Sequence, residues 1–202
     1  LGNALKDRGD LDTAIDSYKQ AIRIKPDYAE AFNNLGNALK DRGELDTAID
    51  SYKQAIKIKP DYVDVYSNMG NALKAKGELD AAIDSYKYAL QIKPDFAEVF
   101  LNMGNALSEH SELDAAIDSY KQAVKIKPDF AEAYNNMGMA LKDIGNLQAA
   151  INSYKQALKI RPEYEIALAE KLHQQAHICD WSEIEQDGEK IIKLGTSNQY
   201  ID

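Results

Sequence analysis

The chain has a single cysteine, Cys179, which excludes an internal disulfide. A lone thiol suits a reducing compartment, so a cytoplasmic location is expected. No apolar run approaches the roughly 18 residues of a membrane span. No secretory leader is legible either, and no membrane partner is expected. Glycines are present but never cluster into a phosphate-cradling loop. No nucleophile, base and orienting group stand out as a set. The segment is therefore expected to have no catalytic residue, no cofactor, no metal and no activity of its own. Lys plus Arg number 24 against 33 Asp plus Glu, for a formal net charge of -9. An acidic chain repels phosphate backbones, which argues against nucleic acid. The acids are spread along the chain and form no tail, as on a solvated outer face.

What the sequence does have is a period of 34 residues. Ala29-Glu-Ala-Phe-Asn-Asn-Leu-Gly returns as Val63-Asp-Val-Tyr-Ser-Asn-Met-Gly, as Ala97-Glu-Val-Phe-Leu-Asn-Met-Gly and as Ala131-Glu-Ala-Tyr-Asn-Asn-Met-Gly. A fixed period of this length means stacked supersecondary units. One unit cannot bury its apolar face alone, so its neighbours must cover it. Such a stack offers a long surface and few closed pockets, which suits binding other proteins.

Within a repeat, with Ala29 as position 1, apolar residues fall at positions 4, 7 and 11, then at 17, 20, 21, 24, 27 and 28. These are Phe32, Leu35 and Leu39, then Leu45, Ala48, Ile49, Tyr52, Ala55 and Ile56. Three- and four-residue spacing in both sets predicts two amphipathic helices. Gly43 lies between them, matched by Gly9, Gly77 and Gly145, where a left-handed residue ends the first helix. The second helix ends before Pro60, matched by Pro26, Pro94, Pro128 and Pro162. Asp27, Asp61, Asp95 and Asp129 follow those prolines, each with an acidic residue three later, the pattern of a capping box. Gly36, Gly70, Gly104 and Gly138 sit inside the first helix, where glycine costs about 1 kcal/mol. A close approach of the paired helix is the expected compensation. The tyrosine stripe Tyr18, Tyr52, Tyr86, Tyr120 and Tyr154 is expected in the core.

An aromatic residue, Leu-Gly, Ala, an aromatic residue, Ala and Pro, here Phe32, Leu35-Gly36, Ala48, Tyr52, Ala55 and Pro60, resemble the tetratricopeptide repeat. Phe or Tyr replaces that family's usual Trp at position 4. Complete repeats span 29–62, 63–96, 97–130 and 131–164, after a partial repeat at 1–28. The resemblance implies an all-α, right-handed superhelical solenoid of antiparallel helix pairs. Its first helices would line a concave groove.

Position 6 is Asn34, Asn68, Asn102 and Asn136 without a break. Position 9 is Asn3, Asn37, Asn71 and Asn105, then Met139. The two positions share a helix face that is not the apolar one. A stack would therefore project a ladder of carboxamides, each with donors and an acceptor. Such a ladder can hold the backbone of an extended peptide whatever its side chains. The plainer reading is that the repeat consensus simply favours asparagine there, for example to satisfy helix ends between repeats. Some members of the family grip acidic carboxyl termini through Lys at position 5 and a base at position 6. Here position 5 is Asn33, Ser67, Leu101 and Asn135, so that charged clamp is not expected. His173 and His177 are four apart and can share a helix face, but no metal-site motif surrounds them. They are expected to be exposed or to line the groove.

From Glu165 the pattern breaks, with Lys171-Leu172 in place of Leu-Gly. Residues 165–202 are expected to form a degenerate helical cap or a junction. A helix is predicted to about Ile178, then another opened by Asp180 and ended by Gly195. Trp181 would cover the end of the last repeat. Cys179-Asp180-Trp181-Ser182-Glu183 and the Asn-Asn-Leu-Gly-Asn-Ala-Leu repeat style resemble O-linked N-acetylglucosamine transferases and their SPINDLY-type bacterial relatives. That resemblance implies a glycosyltransferase domain beyond Asp202 and an asparagine ladder that holds acceptor protein. The chain opens inside a repeat and stops without a marked end, as a piece of a larger protein would. A free-standing scaffold or adaptor is the alternative, and a homo-oligomer is compatible with either.

Overall fold

The computed structural model describes residues 10–180, which hold ten α-helices and no strand. They are α1 Leu11–Ile24, α2 Ala29–Asp41, α3 Leu45–Ile58, α4 Val63–Lys76, α5 Leu79–Ile92, α6 Ala97–Glu109, α7 Leu113–Ile126, α8 Ala131–Asp143, α9 Leu147–Ile160 and α10 Glu165–His177. The predicted cap at Trp181, the helix after Asp180, and Asn3 and Gly9 lie outside the described residues.

The chain divides into two compact units, Leu1–His110 and Ser111–Asp202. In the first, α2 packs on α3 and α4 on α5, and each pair stacks on the next. The first helices also touch one another, α2 with α4 and α4 with α6. In the second unit, α8 packs on α9, with α7 and α10 beside them.

The helix pairs approach closely at the position-8 glycine, as expected, and the residue that meets it is the tyrosine of the stripe. A Cβ on Gly36 would stand 2.5 Å from Cε1 of Tyr52, and one on Gly70 would stand 2.5 Å from Cε1 of Tyr86. In the second unit, Gly138 meets Tyr154 in the same way at 2.6 Å. Tyr52, Tyr86 and Tyr154 are fully buried by this fit. The core is wider than the predicted spine. Position 3 (Ala31, Val65, Val99, Ala133) and position 10 (Ala38, Ala72, Ala106, Ala140) are also buried. Small side chains there let first helices approach their neighbours closely.

The predicted capping box is not what opens the first helices. The N-cap residues are Tyr28, Tyr62, Phe96, Phe130 and Tyr164, none with a side-chain cap bond. The turn carries backbone bonds, such as the Tyr62 N–H to Lys59 O at 3.2 Å, and a cation over the ring of the N-cap residue. Lys59 lies 4.7 Å from the ring centre of Tyr62, Lys93 4.5 Å from Phe96, and Arg161 4.8 Å from Tyr164. Lys25 with Tyr28 and Lys127 with Phe130 repeat the arrangement. The proline folds the three-residue turn so that the base closing one helix covers the aromatic residue opening the next. These lysines, and Arg161, thus sit as lids on the turn.

Gly43, Gly77 and Gly145 take φ of +88°, +84° and +81°. Ser111 and Cys179 occupy the same repeat position at φ 66° and 56°. After Gly43, the Glu44 N–H donates to Leu39 O at 2.9 Å; after Cys179, the Asp180 N–H donates to Gln175 O at 2.9 Å. The repeat backbone therefore continues through residue 180, past the point where the sequence pattern breaks. What changes in α10 is its chemistry. Lys171, Gln174 and Gln175 are buried where earlier repeats carry Leu35, Ala38 and Leu39.

Candidate functional site

The asparagines singled out by sequence lie half-buried on the first helices. Asn34 and Asn37 are on α2, Asn68 and Asn71 on α4, Asn102 and Asn105 on α6, and Asn136 on α8. The first six belong to one unit and Asn136 to the other.

Position 9 is tied to the core beneath it. The hydroxyl of Tyr52 donates to Asn37 Oδ1 at 2.8 Å, and that of Tyr86 donates to Asn71 Oδ1 at 2.7 Å. The tyrosine ring passes under the position-8 glycine, so its hydroxyl emerges beside the next turn. Burial pushes the Tyr52 and Tyr86 hydroxyls well above the usual phenol range, which keeps them protonated donors. With Oδ1 occupied, the Nδ2 groups of Asn37 and Asn71 make no other hydrogen bond among the described residues.

Position 6 is tied sideways. Asn68 Nδ2 donates to Oδ1 of Asn33, in the preceding repeat, at 3.0 Å. At this rung the carboxamide joins two repeats, side chain to side chain and not at a helix end. The bond turns the Asn68 amide group toward its neighbour and leaves Oδ1 as the acceptor. Along α4, an oriented acceptor at Asn68 and an oriented donor at Asn71 stand one helical turn apart. Position 5 lies inside the stack. Asn33 is 7%, Ser67 9% and Asn135 3% exposed.

The second unit departs from this scheme. Met139 replaces the position-9 asparagine, and the hydroxyl of Tyr154 is buried without a hydrogen-bond partner. Oδ1 of Asn135 is likewise buried and unpaired. Asn135 Nδ2 reaches Asn136 Oδ1 at 3.2 Å and Met139 Sδ at 3.6 Å.

On α10, positions 6 and 9 carry Glu170 and His173, with His177 one turn further on. Glu170 Oε2 accepts from Lys142 Nζ at 3.2 Å and from Gln174 Nε2 at 3.4 Å. The two imidazoles, both exposed, meet at 3.2 Å between their Nε2 atoms. With Leu147 these side chains line a cavity of about 410 Å³. Sequence reasoning placed the histidines on one face but missed Glu170 and Lys142. Continuing the 34-residue register past Glu165 would have found Glu170. Also missed was Tyr88, where other repeats carry Gln54, Gln122 and Gln156. It is 56% exposed and stacks on Tyr66, ring centres 5.9 Å apart, beside a cavity of about 440 Å³.

Antiparallel helix pairs at a fixed period, presenting a face of carboxamides, define a helical-repeat protein. Family comparison names the repeat. The model for TPR repeats matches residues 2–41, 36–77, 70–111 and 104–145, and the tetratricopeptide repeat model matches 131–164. The chain belongs to the tetratricopeptide repeat family, whose members are protein-interaction modules. No curated protein matches the sequence. Among solved structures, a crystal structure of MamA is 29% identical with a TM-score of 0.75, over 81% of this chain and 95% of MamA. PilF of Pseudomonas aeruginosa is 18% identical with a TM-score of 0.80, over 96% of this chain and 88% of PilF. YrrB, described as a TPR protein with an unusual peptide-binding site, is 21% identical with a TM-score of 0.71, over 89% of this chain and 93% of YrrB. The likeness to PilF and YrrB shows the fold alone. No helix of the described residues is long and apolar enough to cross a membrane.

Proposed function

We propose that the first-helix face binds extended protein segments through their backbone. The observation that carries this reading is the pairing on α4: Asn68 Oδ1 as acceptor and Asn71 Nδ2 as donor, each fixed from behind. A peptide unit in extended conformation offers the complement, one N–H and one C=O, at every residue. Preorganised carboxamides lose little freedom on binding, which raises affinity without new contacts. Asn34, Asn37, Asn102 and Asn105 extend the same residue type to the other first helices of this unit, and Asn136 carries it on a first helix of the second unit. YrrB, with its peptide-binding site, shares the fold and supports the class of ligand. Nucleic acid stays disfavoured by the charge of -9.

The test is an array of unstructured peptides, followed by titration of one that binds. Scrambling its side chains should keep affinity within about tenfold, a difference of about 1.4 kcal/mol. N-methylation of alternate backbone amides should abolish binding. The opposite pair of results would mean that side chains, not backbone, are read.

The finer proposal is that this face recruits acceptor protein for an O-linked glycosyltransferase. It rests on the Asp180-Trp181 junction and the repeat style, both sequence resemblances. The competing context is a scaffold or adaptor acting without an attached enzyme. Reading the gene past the codon for Asp202 decides between them. A nucleotide-sugar-binding α/β domain there supports the enzyme, and further repeats support the scaffold.

A further inference from the structure

We propose that His173 and His177 form a two-imidazole site for a divalent transition metal of the Zn²⁺, Ni²⁺ or Cu²⁺ kind. Four residues apart on α10, they share one helix face, and their Nε2 atoms stand 3.2 Å apart. The ring centres lie 4.6 Å apart with the planes at 82°. Two nitrogens that share a tetrahedral zinc at about 2.0–2.1 Å each are separated by about 3.3 Å. The pair already has that separation, so one ion can bridge the two nitrogens once the rings turn to aim both lone pairs at it. In the absence of a cation, one ring must donate an N–H to the other to satisfy the contact.

The surroundings favour a cation that prefers nitrogen. Both rings are exposed, so an ion reaches them directly from water. Glu170 and Lys142 line the same cavity and offset each other's charge, and Glu170 Oε2 is held by Lys142 and Gln174. Coordination therefore comes from the two rings. Among the described residues, no group of three or more His, Cys, Asp or Glu converges to hold a metal. Water, or a donor from a docked partner, completes the coordination sphere. Imidazole selects transition metals over Mg²⁺ and Ca²⁺, which require oxygen ligands.

The test uses the full chain purified without a polyhistidine tag, titrated calorimetrically with ZnCl₂, NiCl₂, CuCl₂ and MgCl₂. One ion per chain is expected, with Cu²⁺ tighter than Ni²⁺ and Mg²⁺ silent. Either single variant, His173→Ala or His177→Ala, should weaken binding by about 10²-fold, because the second imidazole acts at high effective concentration. His110→Ala should leave affinity unchanged. Both target rings are exposed, so circular dichroism of the variants should match the parent. Absence of saturable binding by the parent would overturn the proposal. So would undiminished binding by the double variant His173→Ala/His177→Ala.

Discussion

The hydroxyl of Tyr86 donates to Oδ1 of Asn71 at 2.7 Å, joining the buried stripe of one helix to the exposed face of its partner. The ring gets there by passing under Gly70, so core packing and surface orientation are parts of one device. Tyr86→Phe keeps the ring and removes the bond. The expected loss of stability is about 1 kcal/mol, the net worth of one hydrogen bond. Peptide affinity should also fall, although Tyr86 is fully buried, because Asn71 is then free to rotate. Denaturant melts and titration of the same variant check both. A stability loss with no change in affinity would separate the tyrosine from the binding face.

The second unit supplies the reverse experiment. Tyr154 lacks the partner that Tyr52 and Tyr86 have, because Met139 stands at position 9. Met139→Asn should supply an acceptor for the orphaned hydroxyl and stabilise the protein by about 0.5–1.5 kcal/mol. Met139 is 40% exposed, so little buried apolar area is lost. A lower denaturation midpoint would show that the Tyr154 hydroxyl is not within reach of position 9.

Gly70→Ala tests the packing half of the device. Alanine favours a helix by about 1 kcal/mol over glycine. Its Cβ, however, would stand 2.5 Å from a fully buried ring. Overpacking costs about 1–3 kcal/mol, and the backbone on which Cβ sits cannot swing aside. Net destabilisation is expected, read as a lower thermal midpoint. A stabilised variant would show that the tyrosine ring moves freely.

Alkaline pH should act on the same residues. Burial raises the hydroxyl pKa of Tyr52, Tyr86, Tyr120 and Tyr154 in the folded chain. In the unfolded chain tyrosine titrates near about 10. Above that pH the unfolded chain has lost protons that the folded chain keeps, so stability falls as pH rises. Below it the contribution is fully present. Denaturant midpoints should be flat between neutrality and the onset of phenol ionisation, then drop. Lys76, held above its ordinary range by hydrogen bonds with Asp46 and Glu78, adds a loss of the same sign. Ionisation of Tyr52 or Tyr86 itself, followed by a residue-specific isotope label, while the helical signal is intact would contradict the buried-donor account.

The helix pairs, their turns and the tyrosine core were legible because each depends on residue types that few other environments accept. Gly70 under Tyr86 is such a case, and so is Gly77 at positive φ. The capping reading of Asp61 failed because a short acidic pattern also fits a turn closed by Lys59 over Tyr62. At the site, the sequence put Asn68 and Asn71 on one face but could not orient them. Orientation depends on Asn33, 35 residues away in the chain, and on Tyr86, 15 residues away. The helix expected to run to about Ile178 is present as Glu165–His177, but its closing turn was not legible. Cys179 takes the left-handed turn that glycine takes elsewhere, so the backbone repeat outlasts the residue pattern.

The central claim is that Asn68 and Asn71 hold a ligand's backbone, and one comparison tests it most directly. The reference is the Tyr86→Phe protein, in which no tyrosine hydroxyl is left stranded when Asn71 is removed. Against it stands the same protein carrying Asn68→Ala and Asn71→Ala, both titrated with one extended peptide. Two lost hydrogen bonds of about 0.5–1.5 kcal/mol each predict an affinity lower by about 5- to 150-fold. The helical signal should be unchanged. Equal affinity in the two proteins would contradict the account and place the ligand elsewhere on the repeat.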